Sequence, residues 1–138
     1  MLSDKLESLP HSGRKLQDHL NGTANILRHW LCSDDVVNAG LYHSVYGTSS
    51  YKNVATTNRE EIVALIGTYA ESLVYTFCNT NHNRMLHFIA NRNTELILVE
   101  CANLMEQKSR NFKILEKAVD FVPKYIAEDI GFYILETH

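Results

Sequence analysis

The sequence predicts an all-α protein, a single domain of about six helices over residues 1–138. Only two prolines and six glycines interrupt the chain. Apolar side chains recur at intervals of three and four residues, which is the period of an amphipathic helix. No segment alternates apolar and polar residues for long enough to indicate a β-strand, and no linker or internal repeat divides the chain. A length of 138 residues is sufficient for one hydrophobic core.

The composition is that of an ordinary globular protein and excludes several classes of function. Hydrophobic residues make up 45% of the chain and charged residues 21%. The net charge is −3 and basic residues form no cluster, so we expect no nucleic-acid partner. Glutamates interrupt the longest apolar stretch, and residues 1–7 lack the basic and apolar regions of a signal peptide. We therefore expect a cytoplasmic protein without a membrane span.

The three cysteines, Cys32, Cys78 and Cys101, show no CxxC spacing. Their odd number and their spacing favour reduced, mostly buried thiols over a zinc site. We assign them to the core rather than to chemistry.

Two helices are predicted in the first third of the chain. The first has an apolar stripe over about four turns, formed by Leu16, Leu20, Thr23, Leu27 and Trp30. Ser33 is a typical N-cap and begins a second helix that continues to about Ser44. A polar loop of small residues follows at residues 47–53.

The middle of the chain is predicted to contain one helix and one loop. Asn58 and Glu61 have the form of a capping box, which opens a helix over residues 59–76. Residues 78–84 are rich in asparagine and are predicted to be an exposed loop.

Further helical segments complete the predicted fold. Asn93 or Thr94 begins the next helix. The last segment extends from about Arg110 to Leu135 and is interrupted near Pro123. This segment is apolar on more than one face, which indicates burial in the core or, as a second interpretation, an interface in a homodimer.

A pair of histidines, His19 and His43, is the strongest functional signal in the sequence. His19 lies on the apolar stripe of the first helix, and His43 follows the inward position Ala39 by four residues. A short connection makes successive helices neighbours, so we expect the two rings to meet. Two neutral imidazoles are suited to iron, manganese or zinc when further ligands complete the sphere, or to acid/base catalysis. Each histidine alone is equally compatible with a hydrogen-bonded core residue, whereas the pair favours function.

Polar residues around the pair predict that the ligand is a small anionic metabolite. His11 and Ser12 precede the first helix, near backbone donors that can meet an anion. Arg14 offers a fork suited to carboxylate or phosphate, and Asp18 lies four residues further on the same face, positioned for a salt bridge or a ligand contact. Rim positions from the second segment are Tyr42, Tyr46, Thr48 and Tyr51.

Residues 19–48, HLNGTANILRHWLCSDDVVNAGLYHSVYGT, resemble the HD-domain superfamily, and in particular the alarmone hydrolases. The strongest part, AGLYHSVYG at residues 39–47, is similar to the AxLLHDxxx segment of that family. Glu100-Cys-Ala-Asn103 falls where the family has its last Ala-Asp. The resemblance covers roughly residues 11–107. It implies an HD-like helical bundle in which two histidines and two aspartates bind one or two metal ions.

This chain departs from the family at two anionic ligands. Ser44 stands where an aspartate follows the second histidine, and Asn103 stands where the final aspartate is expected. Tyr46 and Gly47 replace the acidic pair of the alarmone hydrolases. A dinuclear centre needs carboxylates to offset and bridge two cations, so the resemblance implies at most one divalent ion, iron, manganese or zinc, on His19 and His43.

The sequence leaves the remaining ligands open. HD-type oxygenases imply His82 and His87 as additional ligands, although a spacing of five is poor for one helix face. Glu71 and Glu100 interrupt apolar helices, and either would supply a missing carboxylate if it faced the cavity beside Asn103. Asp18 lies about 100° around the helix from His19, which makes a shared ligand point difficult.

Two hypotheses follow from these observations. In the first, an HD-like hydrolase or oxygenase acts on a small anionic metabolite, with His19, His43 and Asp18 as catalytic residues. The substrate would then contact His11, Arg14, Tyr46, Thr48 and Asn103. In the second, a catalytically degenerate HD-like domain serves as a ligand-binding or protein-interaction module. The neutral residues at two ligand positions favour the second hypothesis, and the density of polar residues between 11 and 48 favours the first.

Overall fold

The computed structural model describes residues 10–11, 14–48, 52–81 and 83–138, with only the backbone path described at Pro10, His11 and Arg14. Over these residues the fold is all-α, as predicted, with eight α-helices, one 3-10 helix and a minimal β-ladder. In chain order these are β1 (Pro10–His11), β2 (Arg14–Lys15), α1 (Leu16–His29), α2 (Asp34–Tyr42), α3 (Arg59–Ile66), α4 (Thr68–Asn79), α5 (Arg84–Ala90), α6 (Thr94–Glu106), α7 (Phe112–Ala118), the 3-10 helix (Val119–Phe121) and α8 (Lys124–Thr137).

The β-ladder was not predicted. It is antiparallel and pairs Pro10 with Lys15 and His11 with Arg14. Two residues per strand are too few to produce an alternating pattern that sequence reasoning detects. The ladder leads directly into α1.

Three predicted helix starts are confirmed by their caps. The amide of Val36 donates to Ser33 Oγ at 3.3 Å at the start of α2. Asn58 Oδ1 caps α3, and Asn93 Oδ1 caps α6 by accepting from the Leu96 amide at 3.1 Å. Each cap satisfies one of the amides that have no partner within the helix.

The single helix predicted over residues 59–76 is wrong, because Gly67 divides it into α3 and α4. Gly67 has φ +87° and ψ 165°, a conformation that only glycine adopts without strain. Leu65 and Tyr69 lie on either side of the break, and they are 55% and 51% exposed, respectively.

The predicted exposed loop at residues 78–84 is also shorter than expected. Cys78 is a buried residue of α4, and Arg84 is a buried residue at the start of α5. Helix α5 itself was not predicted. This helix and the break at Gly67 account for eight described α-helices where about six were expected.

The core lies where α1, α2, α4 and α6 meet. Helix α1 packs against α2 and α6, and α2 also packs against α4 and α6. The largest fully buried side chains include Leu16, Leu20, Leu27, Trp30, Phe77, Ile62, Leu96, Ile97 and Leu115. Helices α1 and α2 approach closely at Gly40, where an added Cβ would lie 2.4 Å from Leu27 Cδ1. This close approach brings the two predicted histidine positions together.

The C-terminal segment is broken near Pro123, as predicted, and α8 follows the break. Its inner face buries Ile126 and Ile130, which confirms the predicted core role. The Trp30 indole donates to Asp129 Oδ2 at 2.6 Å and thus ties α1 to α8. The dimer interface stays a prediction.

The cysteines have the environment predicted for core thiols. Cys78 and Cys101 are buried, Cys32 is partly buried, and all three are free. Burial raises the pKa of Cys32 to about 11 and that of Cys78 to about 12, so both are thiols at neutral pH.

Among the described helices, none combines the length and apolar character needed to cross a bilayer.

Candidate functional site

The structure brings the two predicted histidines into direct contact. His19 belongs to α1, and His43 is the C-terminal cap residue of α2. Their Nε2 atoms are 3.2 Å apart, and the rings meet edge to face with centroids 5.0 Å apart. The two residues are 0% and 2% exposed. Helix packing therefore places both imidazoles together inside the core.

Asn103 on α6 completes a three-residue cluster, which we call the His-His-Asn cluster: His19, His43 and Asn103. The Asn103 Oδ1 atom lies 2.9 Å from His19 Nε2 and 3.0 Å from His43 Nε2. Asn103 is buried. The sequence singled out Asn103 as a substrate-binding residue, and the structure makes it a direct neighbour of both rings.

Hydrogen bonds outside the cluster determine which atoms carry protons. The Nδ1–H of His43 donates to the Gly40 carbonyl at 2.7 Å, which leaves a lone pair on Nε2. The Asn103 Nδ2 donates to Glu100 Oε1 at 2.8 Å, so Oδ1 faces the rings. The Nδ1 of His19 lies 2.5 Å from Glu106 Oε1 and carries a proton there, because a carboxylate accepts.

Three acceptor atoms consequently converge in the His-His-Asn cluster when both rings are neutral. Acceptors at separations of 2.9–3.2 Å repel unless a positive group lies among them. A proton shared among the three atoms makes these contacts ordinary hydrogen bonds, and a metal cation among them would relieve the repulsion as well. The geometry of the cluster is compatible with either arrangement.

His43 is held in its neutral form. Burial, and next the positive charge attributed to His19, lower the pKa of His43 to about 3. At neutral pH its Nε2 therefore carries a lone pair and is not a proton donor. This favours the role of ligand for His43 over the role of general acid.

Glu100, one of the open carboxylate candidates, faces Asn103 but pairs with a cation. Its Oε2 lies 2.7 Å from Arg84 Nε, although the N–H does not point at the oxygen. The Arg84 guanidinium also lies over the Phe77 ring, 4.6 Å from its centroid. Burial raises the pKa of Glu100, against the opposing influence of Arg84. Glu100 orients the Asn103 amide instead of replacing a ligand.

Glu106 is a site residue that the sequence reasoning missed. Its carboxylate contacts His19, and its side chain is 10% exposed. Glu100, Asn103 and Glu106 are spaced by three along α6, a spacing that places them on one helix face. This spacing, next to the position of the last ligand in the HD superfamily, was the signal available in the sequence. Arg84 gave no comparable signal, because its helix was not predicted.

Asp18, predicted as catalytic, lies on the exposed side of α1. Among the described residues it has no hydrogen bond or ion pair. Its neighbour His19 points to the core because successive helical residues are about 100° apart. A catalytic role for Asp18 is thus not supported by the geometry.

Glu71, the other carboxylate candidate, belongs to a different cluster. Arg59 donates to it twice, each time at 2.8 Å, and the Tyr46 hydroxyl donates at 2.7 Å. The Tyr46 hydroxyl is therefore already engaged where the sequence predicted a substrate contact. Thr48 is buried, and so is Ser44, whose Oγ has no hydrogen-bond partner among the described residues.

Several predicted site positions lie outside the described residues. These are the side chains of His11 and Arg14 together with Ser12, Tyr51 and His82. The backbone of His11 and Arg14 forms the ladder that precedes α1. His87 is exposed on α5 and is not part of the cluster, so its predicted use as a ligand is not supported.

The donor set is chemically compatible with one divalent metal ion. Within the described part of the chain, no three histidine, cysteine, aspartate or glutamate residues are grouped for metal binding. A metal ion at the cluster would therefore need the Asn103 amide oxygen as its third protein donor. Imidazole nitrogens suit zinc, iron and manganese, and the amide oxygen suits the harder of these. Ligands at ~2.1 Å from a common ion lie about 3.0 Å apart when they are adjacent in an octahedron and about 3.4 Å apart in a tetrahedron, so the separations of 2.9–3.2 Å in the cluster are closer to the octahedral value.

Fold and site together define an all-helical protein with a buried His-His-Asn cluster. The chain belongs to a family described as a domain of unknown function, DUF6817, whose model matches residues 1–82. The matched part contains His19 and His43, whereas Asn103 and both glutamates of α6 lie beyond it. No curated protein and no solved structure matches this chain.

Proposed function

We propose that this protein is an HD-like enzyme that binds one divalent metal ion and acts on a small anionic metabolite. The observation that carries the proposal is the convergence of His19 Nε2, His43 Nε2 and Asn103 Oδ1. These residues are also the ones at metal-ligand positions in the resemblance to the HD superfamily. The contacts among these three side chains support the proposal.

The charge of the donor set favours an anionic substrate. His19, His43 and Asn103 are neutral ligands, so none of the three groups in contact with a divalent ion would offset its positive charge. Ser44 supplies no carboxylate at the neighbouring position. An anionic group of a substrate would offset this charge directly, which agrees with the anionic metabolite predicted from His11 and Arg14.

Each side chain of the proposed centre has a defined task. His19 and His43 present fixed tautomers, because Glu106 and the Gly40 carbonyl accept from their Nδ1 atoms. Asn103 presents its oxygen because Glu100 holds its amide nitrogen. A bound ion would supply Lewis-acid chemistry for hydrolysis or, if iron, redox chemistry for oxidation. Burial of both rings limits access of bulk solvent to this point.

Elemental analysis of protein purified without a histidine tag tests the proposal. We expect stoichiometric iron, manganese or zinc in the wild type and its loss in His43→Ala and in Asn103→Ala, because each variant removes one of three donors. His87→Ala is the matched control, since it removes an exposed imidazole outside the cluster. Circular dichroism establishes that the variants are folded. A folded wild-type protein that contains no metal and takes none up would overturn the proposal.

The runner-up function is a metal-free ligand-binding or protein-interaction module. One observation favours it: distances of 2.9–3.2 Å in the cluster are also hydrogen-bond distances. A doubly protonated His19 would donate to Glu106 and to the cluster, and no metal would then be needed. Absence of metal from the folded wild type would leave this function or acid/base catalysis by the histidines without a metal.

A further inference from the structure

We infer that Glu106 is a positioning residue of the metal centre and that Gly22 leaves the space that the Glu106 side chain occupies. This inference rests on the proposed metal function. Glu106 Oε1 lies 2.5 Å from His19 Nδ1, on the side of the ring opposite the cluster. A carboxylate there fixes the tautomer in which Nδ1 carries the proton and Nε2 carries none, and it makes the ring a stronger ligand. Glu106 thus places a negative charge beside the centre without contacting the ion.

This role compensates for what the ligand set lacks. Ser44 and Asn103 provide no negative charge at the two positions where the HD superfamily has aspartates. Glu106 lies three residues after Asn103, about one turn along α6. The same helix therefore supplies the neutral ligand Asn103 and the negative charge next to the other ligand, His19. In this proposal the negative charge is carried by Glu106, which contacts the ligand His19, and not by the ligands themselves.

Gly22 provides the space in which the Glu106 carboxylate lies. Gly22 is in α1, three residues after His19, and an added Cβ would lie 2.5 Å from Glu106 Oε2 and 2.8 Å from its Cγ. A glycine inside a helix is less favourable than an alanine, because it loses more backbone entropy on folding. The need to admit Glu106 gives a reason for this unfavourable choice.

The test measures metal affinity by competition with a chelating dye, alongside any activity, in Glu106→Ala, Glu106→Gln and Gly22→Ala. We expect the dissociation constant to rise about 10- to 100-fold in Glu106→Ala. Glu106→Gln keeps an acceptor but loses the charge, so its loss should be smaller. Gly22→Ala should weaken binding although alanine favours the helix, because its Cβ displaces the carboxylate.

Two controls separate positioning from stability. Gly131→Ala in α8 makes the same exchange where no atom lies within 4 Å of the added Cβ, and it should leave metal affinity unchanged. In the double variant Gly22→Ala/Glu106→Ala the two losses should not add, because both act through one carboxylate. If the wild type binds metal and these variants bind it equally well, the inference fails alone. If the wild type binds none, the proposed function fails and the inference with it.

Discussion

Among the described residues, the buried carboxylates of Glu71 and Glu100 are each paired with an arginine. Glu71 pairs with Arg59, and Glu100 pairs with Arg84. Burying a charge is costly unless it is paired, so each arginine offsets part of the cost of burying its glutamate. Glu106 contacts His19 of the cluster, which gives it a place in the site.

The pH dependence of stability should reveal the cluster around Glu71. Hydrogen bonds from Arg59, and to a smaller extent from Tyr46, hold the pKa of Glu71 below its ordinary value. A carboxyl whose folded pKa is depressed stabilises the fold above its unfolded pKa, and this contribution is lost as pH falls through the folded pKa. Urea unfolding should therefore show wild type more stable than Glu71→Gln at pH 7, with a difference that shrinks below about pH 4.5. A difference that stays constant down to pH 3 would contradict this assignment.

Local sequence patterns predicted the helices well where a cap marks the start and less well where one glycine decides. Ser33, Asn58 and Asn93 cap helices as predicted. Gly67 lies within an apolar pattern that continues across it, and a single glycine inside such a pattern is commonly tolerated. Its positive φ is known only from the folded chain. The seven-residue helix α5 is too short for a period to be evident.

The contact between α1 and α2 should depend on Gly40. In Gly40→Ala the new Cβ would lie 2.4 Å from Leu27 Cδ1, so the helices must separate or Leu27 must move. We expect a loss of about 1–3 kcal/mol in the free energy of unfolding, which is typical of overpacking in a core. Metal occupancy should fall too, because α2 carries His43. Urea titration and elemental analysis measure both effects; unchanged stability would show that the packing adapts.

In the molecule as a whole, one helix of the core, α8, contributes to stability but not to the His-His-Asn cluster. The His-His-Asn cluster is built from α1, from the end of α2 and from α6. Helix α8 closes the core and is tied to α1 by the bond from Trp30 to Asp129, but it contributes no residue to the cluster.

Ile130→Ala tests this separation. Ile130 is fully buried on α8, and truncation of such a side chain costs about 2–5 kcal/mol through lost burial and a cavity. We expect a lower urea midpoint and an unchanged metal dissociation constant at temperatures where the variant is folded. A large change in metal affinity would instead show that α8 supports the geometry of the site.

The sequence by itself determined the helical class, most helix starts, and the inward positions of His19 and His43, because period and caps are local properties of the chain. It also pointed to Asn103 through the resemblance. Only the tertiary structure decided that Nε2, Nε2 and Oδ1 meet within 3.2 Å and that Glu106 holds His19. These contacts join residues 24 to 87 positions apart. They depend on how α1, α2 and α6 pack and on which way one amide faces, and no local pattern encodes either.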